Sequence, residues 1–474
     1  MKTTIILIFF ALFTSFTGQT QLVHPGMLNS KAELDFIKKK LKAGEEPWTS
    51  SFKLLQSDNH AKPEWQPKPM ADVIRGSYNN PNIGAGDLGN DSQAAYIQAL
   101  EWALTGKKQY AEKAIEILNA WSYTLKSISG SDMQLLAGIT GYKFCNAAEI
   151  IRHTSKLWDE KDQLQFEQML KTVYYPLVRN YKPQANGNWD ASMIATTMCI
   201  GIFLDDIALY KGAVEYAKNG HSNGAIPNYI GKSGQCQESG RDQQHTQLGL
   251  GYLADLCEIA WKQGDDLFGA FDNRVALGFE YTVRYNLGEE VEYQPVADLF
   301  GKNLHPVISE KGRGNFRPVY EIIYHHYHDR IGLEMKYIKL VLDKIRPEGF
   351  HWDHSSFGTL LHSQLPVSQE TDYPADLAQL HQNILNELLG GPLGTDTLQK
   401  LVDRMNEQGA WSHIPYQSKQ RGSWEPATHL SYVQTMAKAW QKSIWRSITG
   451  STTIFSAPTG GIPKSAFRCN SPQP

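Results

Sequence analysis

Between residues 91 and 346, apolar residues recur at steps of three and four, the spacing that turns one side of a helix toward a core. DSQAAYIQALEWALTG (91–106) and YAEKAIEILNAWSYTL (110–125) form the first clear pair, joined by a Gly-Lys-Lys turn. Further pairs are predicted at 133–153 with 160–180, 188–204 with 206–219, 239–262 with 272–287, and 317–328 with 333–346. The first member of each pair is apolar around much of its circumference, as in LGLGYLADLCEIA (248–260). The second carries charge along one side, as in YAEKAIEIL. Helices apolar all round belong inside and striped ones outside. The openers repeat loosely at roughly fifty residues. The pattern predicts an all-α fold, an (α/α) toroid of helical hairpins in two layers, with an open helical solenoid as the alternative.

Connectors rich in Gly, Asn or Pro precede the inner helices at 75–90, 182–187, 231–238 and 288–316, so the loops collect at one end. Beyond about 347 the period weakens, and some strand is expected there. The segment 347–474 is expected to complete or brace the ring within a single domain running from 21 to 474. Residues 1–20 read as a secretory signal, with Lys2 ahead of an apolar stretch from Ile5 to Phe13. The mature chain is therefore expected to be exported, periplasmic or secreted, with no membrane span. Five cysteines (Cys145, Cys199, Cys236, Cys257, Cys469) include no C-x-x-C pair. Cys199 and Cys257 lie in apolar helical runs and read as core residues, and sequence does not choose partners for any disulfide.

A net charge of -3 at pH 7 and a pI near 6.6 leave no polybasic field, which argues against nucleic acid as a partner. H-E-x-x-H, G-x-S-x-G and phosphate-loop signatures are absent. What stands out is QESGRDQQHTQLGLG (237–251). Ser239 and Asp242 form a plausible capping box. Arg241 and His245, four residues apart, then share a face in the first two turns, where the helix dipole favours an anion. Pairing of Arg241 with Glu238 or Asp242 is the purely structural alternative. Asn188 in NGNWDASMIA (186–195) sits at another inner-helix start beside Trp189, a ring suited to sugar stacking or to core filling. A third cluster, GRGNFRPVYEIIYHHYHDR (312–330), puts Arg313 and Arg317 at a helix start with Tyr320 following. His325 with His328, and the HWDH at 351–354, have no spacing specific to a metal, and none is assigned.

These pieces resemble the alginate lyase superfamily of (α/α)-toroid polysaccharide lyases, and are most similar to polysaccharide lyase family 38. TGKKQYAEKAIEILNAW (105–121), NGNWDASMI (186–194), ESGRDQQHTQLGLGYLADLCEIAWKQGDDLF (238–268), FEYTVRYNLG (279–288) and RGNFRPVYE (313–321) carry the resemblance. It covers about 24–346 well. Several related toroid lyases place Asn-His at the inner-helix start, whereas Trp189 follows Asn188 here, so His245 becomes the source of the imidazole.

The resemblance implies β-elimination on an acidic polysaccharide, alginate (polymannuronate favoured) or glucuronan, without a cofactor. A uronate C5 proton is too weakly acidic to leave beside an ionised carboxylate unless the growing charge is stabilised. Asn188 and Arg241 are the expected stabilisers, His245 the base and Tyr320 the acid, with Tyr285 and Tyr293 as rival phenols. Trp189, Gln244, Tyr285, Arg313 and Arg317 are the expected substrate-binding residues. A toroid glycoside hydrolase using Asp190 and Asp242, or a non-catalytic glycan-binding protein of an uptake system, are the alternatives.

Overall fold

The computed structural model describes residues 21–364 together with 395–406, 410–416, 428–429, 431–433 and 435–436. The leader expected at 1–20, Cys469 and most of the tail beyond 364 lie outside these residues. The chain opens with a hairpin of α1 (Lys31–Ala43) and α2 (Trp48–Ser57). At the start of α1, Ser30 Oγ accepts from the Glu33 N–H at 3.3 Å and Glu33 Oε2 accepts from the Ser30 N–H at 2.9 Å. Two N–H groups that the helix itself cannot satisfy are thereby paired.

Helical pairs follow: α3 (Ala85–Thr105) with α4 (Lys108–Thr124), and α5 (Met133–Thr154) with α6 (Glu160–Met169). A π turn at Leu170–Tyr174 extends α6 into α7 (Tyr175–Val178). Then come α8 (Gly187–Phe203), α9 (Ile207–Asn219), the single turn α10 (Ile226–Tyr229), α11 (Gln243–Lys262) and α12 (Ala270–Asn286). α13 (Glu321–Tyr324) runs into a second π turn at His325–Arg330, followed by α14 (Lys336–Ile345) and α15 (Gly358–His362).

The inner layer follows from composition. Every residue of α5 from Leu135 to Ile151 is buried, as is every residue of α8 from Asp190 to Phe203. By contrast α4 turns Ala111, Ala114, Ile117, Leu118 and Trp121 inward and keeps most of its charge outside. Neighbours pack in the order α3, α5, α8, α11, α13, α15, and α15 meets α1 and α2, with α1 returning to α3. The circle closes, so the fold is an (α/α) toroid and not an open solenoid.

Among the described residues, strand occurs at the inner-helix starts. β1 (Asp72–Arg75) pairs antiparallel with β2 (Asn82–Ile83) and parallel with β3 (Ser127–Ser129). In the tail the described residues show one isolated bridge, Met405 with Trp411.

Residues 351–355, between α14 and α15, pass through the ring centre. Lys143 Nζ donates to the Trp352 carbonyl at 2.5 Å, and the hydroxyls of Tyr252 and Tyr142 donate to the Asp353 carbonyl at 2.9 and 3.3 Å. Burial pulls the Lys143 ammonium down to about 7, against the opposing pull of Asp353 and Asp255. The Trp352 ring lies where a side chain on Gly89 would have to go. Gly89→Ala is expected to cost about 1–3 kcal/mol by overpacking, measured as a lowered urea midpoint with the slope unchanged.

The chain divides into two compact units, Met1–Val367 and Ser368–Pro474. In the second unit the helix Thr395–Asp403 contributes Leu398 to a small apolar cluster with Trp411, Ile414 and Met436. Among the described residues no helix is long and apolar enough to cross a membrane. Cys145, Cys199, Cys236 and Cys257 are buried free thiols.

Candidate active site

Two inner helices, α8 and α11, start side by side and bring Asn188, Arg241 and His245 into one hydrogen-bonded path. Asp242 caps α11, accepting from the His245 backbone N–H at 2.8 Å and from the His245 ring Nδ1 at 2.7 Å. Ser239, the expected cap, accepts from the Cys236 N–H instead, and the helix begins at Gln243. Arg241 therefore stands just ahead of the helix. It still reaches its partner, with Nη2 3.2 Å from His245 Nε2. A guanidinium only donates, so Nε2 accepts and the ring proton sits on Nδ1, facing Asp242. Burial opposes ionisation of Asp242, yet hydrogen bonds from the His245 ring and backbone and the nearby charges hold its carboxyl down at about 2.

Behind this pair lies Glu238, fully buried, which the sequence offered only as a structural partner for Arg241. Its carboxylate accepts from Asn188 Nδ2 at 2.8 Å on each oxygen, from Arg241 Nη1 at 2.6 Å and from the Tyr229 hydroxyl at 3.1 Å. That number of donors is what allows an anion to sit in a core. The path thus runs Asp242, His245, Arg241, Glu238, Asn188. Asn188 is the second residue of α8 and not its cap, and its amide donor is turned inward while its Oδ1 has no partner. Half-buried Trp189 stands next to it, with the Lys182 ammonium 4.5 Å from the ring centre.

The 288–316 connector covers the same helix start. The Tyr293 hydroxyl and the His305 side chain occupy the space that a side chain on Gly240 would need, so this close approach requires glycine. Tyr293 donates to the His305 carbonyl at 3.0 Å, and burial raises its pKa, keeping the phenol protonated. His305 Nε2 is buried without a partner. Neither His305 nor Glu238 carried a distinctive sequence signal.

The remaining expected residues are placed otherwise. Tyr320, expected as the acid, is buried, its hydroxyl donating to Gln247 Oε1 at 2.6 Å, and burial with the Glu348 charge pushes it well above the usual phenol range. It precedes α13, which starts at Glu321 and not at 317, so its ring turns into the core. Tyr285 is buried under the Arg313 guanidinium, 3.9 Å above the ring. Arg313 itself donates to the carbonyls of Tyr285 and Glu289, clasping the connector. Gln244 donates to the Asn315 carbonyl at 2.7 Å, a second clasp. Arg317 is buried, and its Nη1 holds Asp353 at 2.7 Å, fastening the central segment.

The model of the alginate lyase family matches residues 55–292. A search of curated proteins finds no match. Among solved structures, an alginate lyase from Bacteroides ovatus is similar at 14% identity and a TM-score of 0.52, covering 72% of this chain and 100% of its own. Alginate lyase A1-III from Sphingomonas species A1 superposes at 14% identity and a TM-score of 0.55, covering 73% and 97%. A tyrosine-to-phenylalanine variant of A1-III complexed with tetrasaccharide gives 16% identity and a TM-score of 0.53, with the same coverage. At such identities the structures speak for the fold. With half of its length matched by the family model, the chain belongs to the alginate lyase family of polysaccharide lyases.

Proposed function

We propose that this chain cleaves a uronic-acid polysaccharide by β-elimination, alginate with polymannuronate favoured, leaving a 4,5-unsaturated sugar at the new non-reducing end. The observation that carries the reading is Arg241, held between buried Glu238 and His245 Nε2. Without substrate, the guanidinium covers the lone pair of the base. A substrate carboxylate competes for the same N–H group and draws it away, so binding uncovers the base. Arg241 then stabilises the charge that grows on the carboxylate as C5 loses its proton. His245 Nε2 takes that proton, and Asp242 stabilises the imidazolium. The electron pair forms the C4–C5 double bond while O4 departs, taking a proton from the Tyr293 phenol. The relative bound to tetrasaccharide supports an oligosaccharide-sized ligand for this fold. The leader read at 1–20 makes the proposed enzyme an exported one.

Hydrolysis is less well supported. Asp190 is buried, with its Oδ1 accepting from the Lys182 N–H at 2.6 Å, and burial raises it to about 6. Asp242 is committed to His245. Neither carboxylate is left to face its counterpart across a glycosidic bond.

Incubation with polymannuronate, polyguluronate and glucuronan tests the reading. A lyase raises ultraviolet absorbance, a hydrolase yields reducing ends without it, and a binding protein yields neither. Tyr293→Phe is expected to lower kcat by about 10²-fold or more with little change in Tm. Tyr320→Phe should keep kcat within a few-fold and lose about 1 kcal/mol of stability with its bond to Gln247. The opposite pattern would return the acid to Tyr320.

A further inference from the structure

At the end of the ring where the inner helices finish, α5 closes with Glu149 and His153 one turn apart, and the segment leading into α1 lays His24 across them. His24 Nδ1 lies 2.7 Å from Glu149 Oε1, and His153 Nε2 lies 3.6 Å from Glu149 Oε2. One ligand atom from each of the three side chains falls within 4.8 Å of the other two. Glu149 is 1% exposed, and its Oε2 has no hydrogen-bond partner. A buried carboxylate oxygen left unpaired beside two imidazoles is costly unless something cationic occupies the space.

We propose that His24, Glu149 and His153 form a zinc site that pins the segment before α1 to the ring, with solvent as the fourth ligand. Two imidazoles and a carboxylate are a donor set suited to zinc. The outer shell is already in place: His24 Nε2 lies 2.9 Å from Asp205 Oδ1, on the turn between α8 and α9. Donating its Nε2–H to Asp205 leaves Nδ1 for the metal, the carboxylate–histidine–metal arrangement that fixes a ligand ring. Without metal, a proton on Nδ1 bonded to Glu149 takes that place. The two rings stack, with centroids 4.5 Å apart and planes 15° from parallel. Coordination turns the His153 ring out of this stack, which its partial exposure at 28% permits. The arrangement joins the segment at His24, the end of α5 and the α8–α9 turn. The ion holds structure together, at the opposite end of the inner helices from His245.

The test uses the full chain, stripped with chelator and dialysed against zinc alone. One zinc per chain and a Tm raised by a few degrees are expected, since an ion bound only by the folded state stabilises it. His153→Ala should lose both effects, while His328→Ala, an exposed histidine outside the cluster, should retain both. Asp205→Asn should keep the stoichiometry and weaken affinity by roughly 10–100-fold. Absence of zinc from the wild-type chain, or full retention of binding and of the Tm rise by His153→Ala, overturns the proposal. Because readout is binding and Tm, it stands or falls independently of the lyase assay.

Discussion

Replacing His245 with alanine is expected to lower kcat by about 10²–10⁴-fold, the range for loss of a positioned general base, while far-ultraviolet circular dichroism and Tm stay near wild-type values. The ring is partly exposed, and its principal fixed partners are Asp242 and Arg241, so its removal leaves no large void. Arg241 remains anchored by Glu238, and substrate affinity should therefore fall far less than turnover. Asp242→Asn gives a graded companion. It keeps the cap but removes the anion that orients Nδ1–H, so kcat should drop while the helix persists. Near-native turnover in His245→Ala would remove the imidazole from the mechanism and direct attention to His305, whose Nε2 is unpaired beside Gly240.

The largest expected loss of stability lies away from the cleft. Glu258 on α11 is fully buried and receives a two-pronged contact from Arg330, both bonds at 2.8 Å, as well as the Lys262 ammonium. Burial alone would raise its pKa, but Arg330 and Lys262 hold it well below the usual carboxylate range. Glu258→Gln leaves two cations, 5% and 6% exposed, without their central anion. The expected cost is about 3–5 kcal/mol, read from urea denaturation near neutral pH. Because the folded-state pKa is depressed, this contribution is present above the unfolded value of about 4.3 and is lost as pH falls through the folded one. The gap between wild type and variant should therefore shrink in acid. A gap that stayed constant to low pH would mean that the glutamate is not ionised in the native state.

The inner helices were legible because α5 and α8 are apolar all round, a pattern that only the centre of a large core accommodates. α1 and α2 were not, since KAELDFIKKKLKA is mostly charged and its buried face is as narrow as Leu34 and Ile37 with Glu33. The convergence of Asn188, Arg241 and His245 could be read because a toroid gathers the starts of its inner helices at one end. Their pairing could not. Ser239 and Asp242 are both able to cap, and choosing the first displaced the start of α11 by four residues. Glu238 looked like an ordinary neighbour of Arg241, and its bond to Asn188 spans 50 residues, which no local pattern reports. The placing of Tyr320 was hidden for a related reason: α13 starts at Glu321 and not at 317, so the phenol meets Gln247.

The segment threading the ring centre bears on how the molecule comes together. Lys143 and Trp352 are 209 residues apart in sequence, and Tyr142 and Asp353 are 211. Until that late stretch arrives, the Lys143 ammonium and the Tyr142 and Tyr252 hydroxyls have none of these carbonyl partners. The middle of the toroid is thus completed by contacts that close very long loops, the kind that slow folding most. A nascent chain halted before residue 347 would hold a polar hollow where the finished protein seats Trp352 and Asp353.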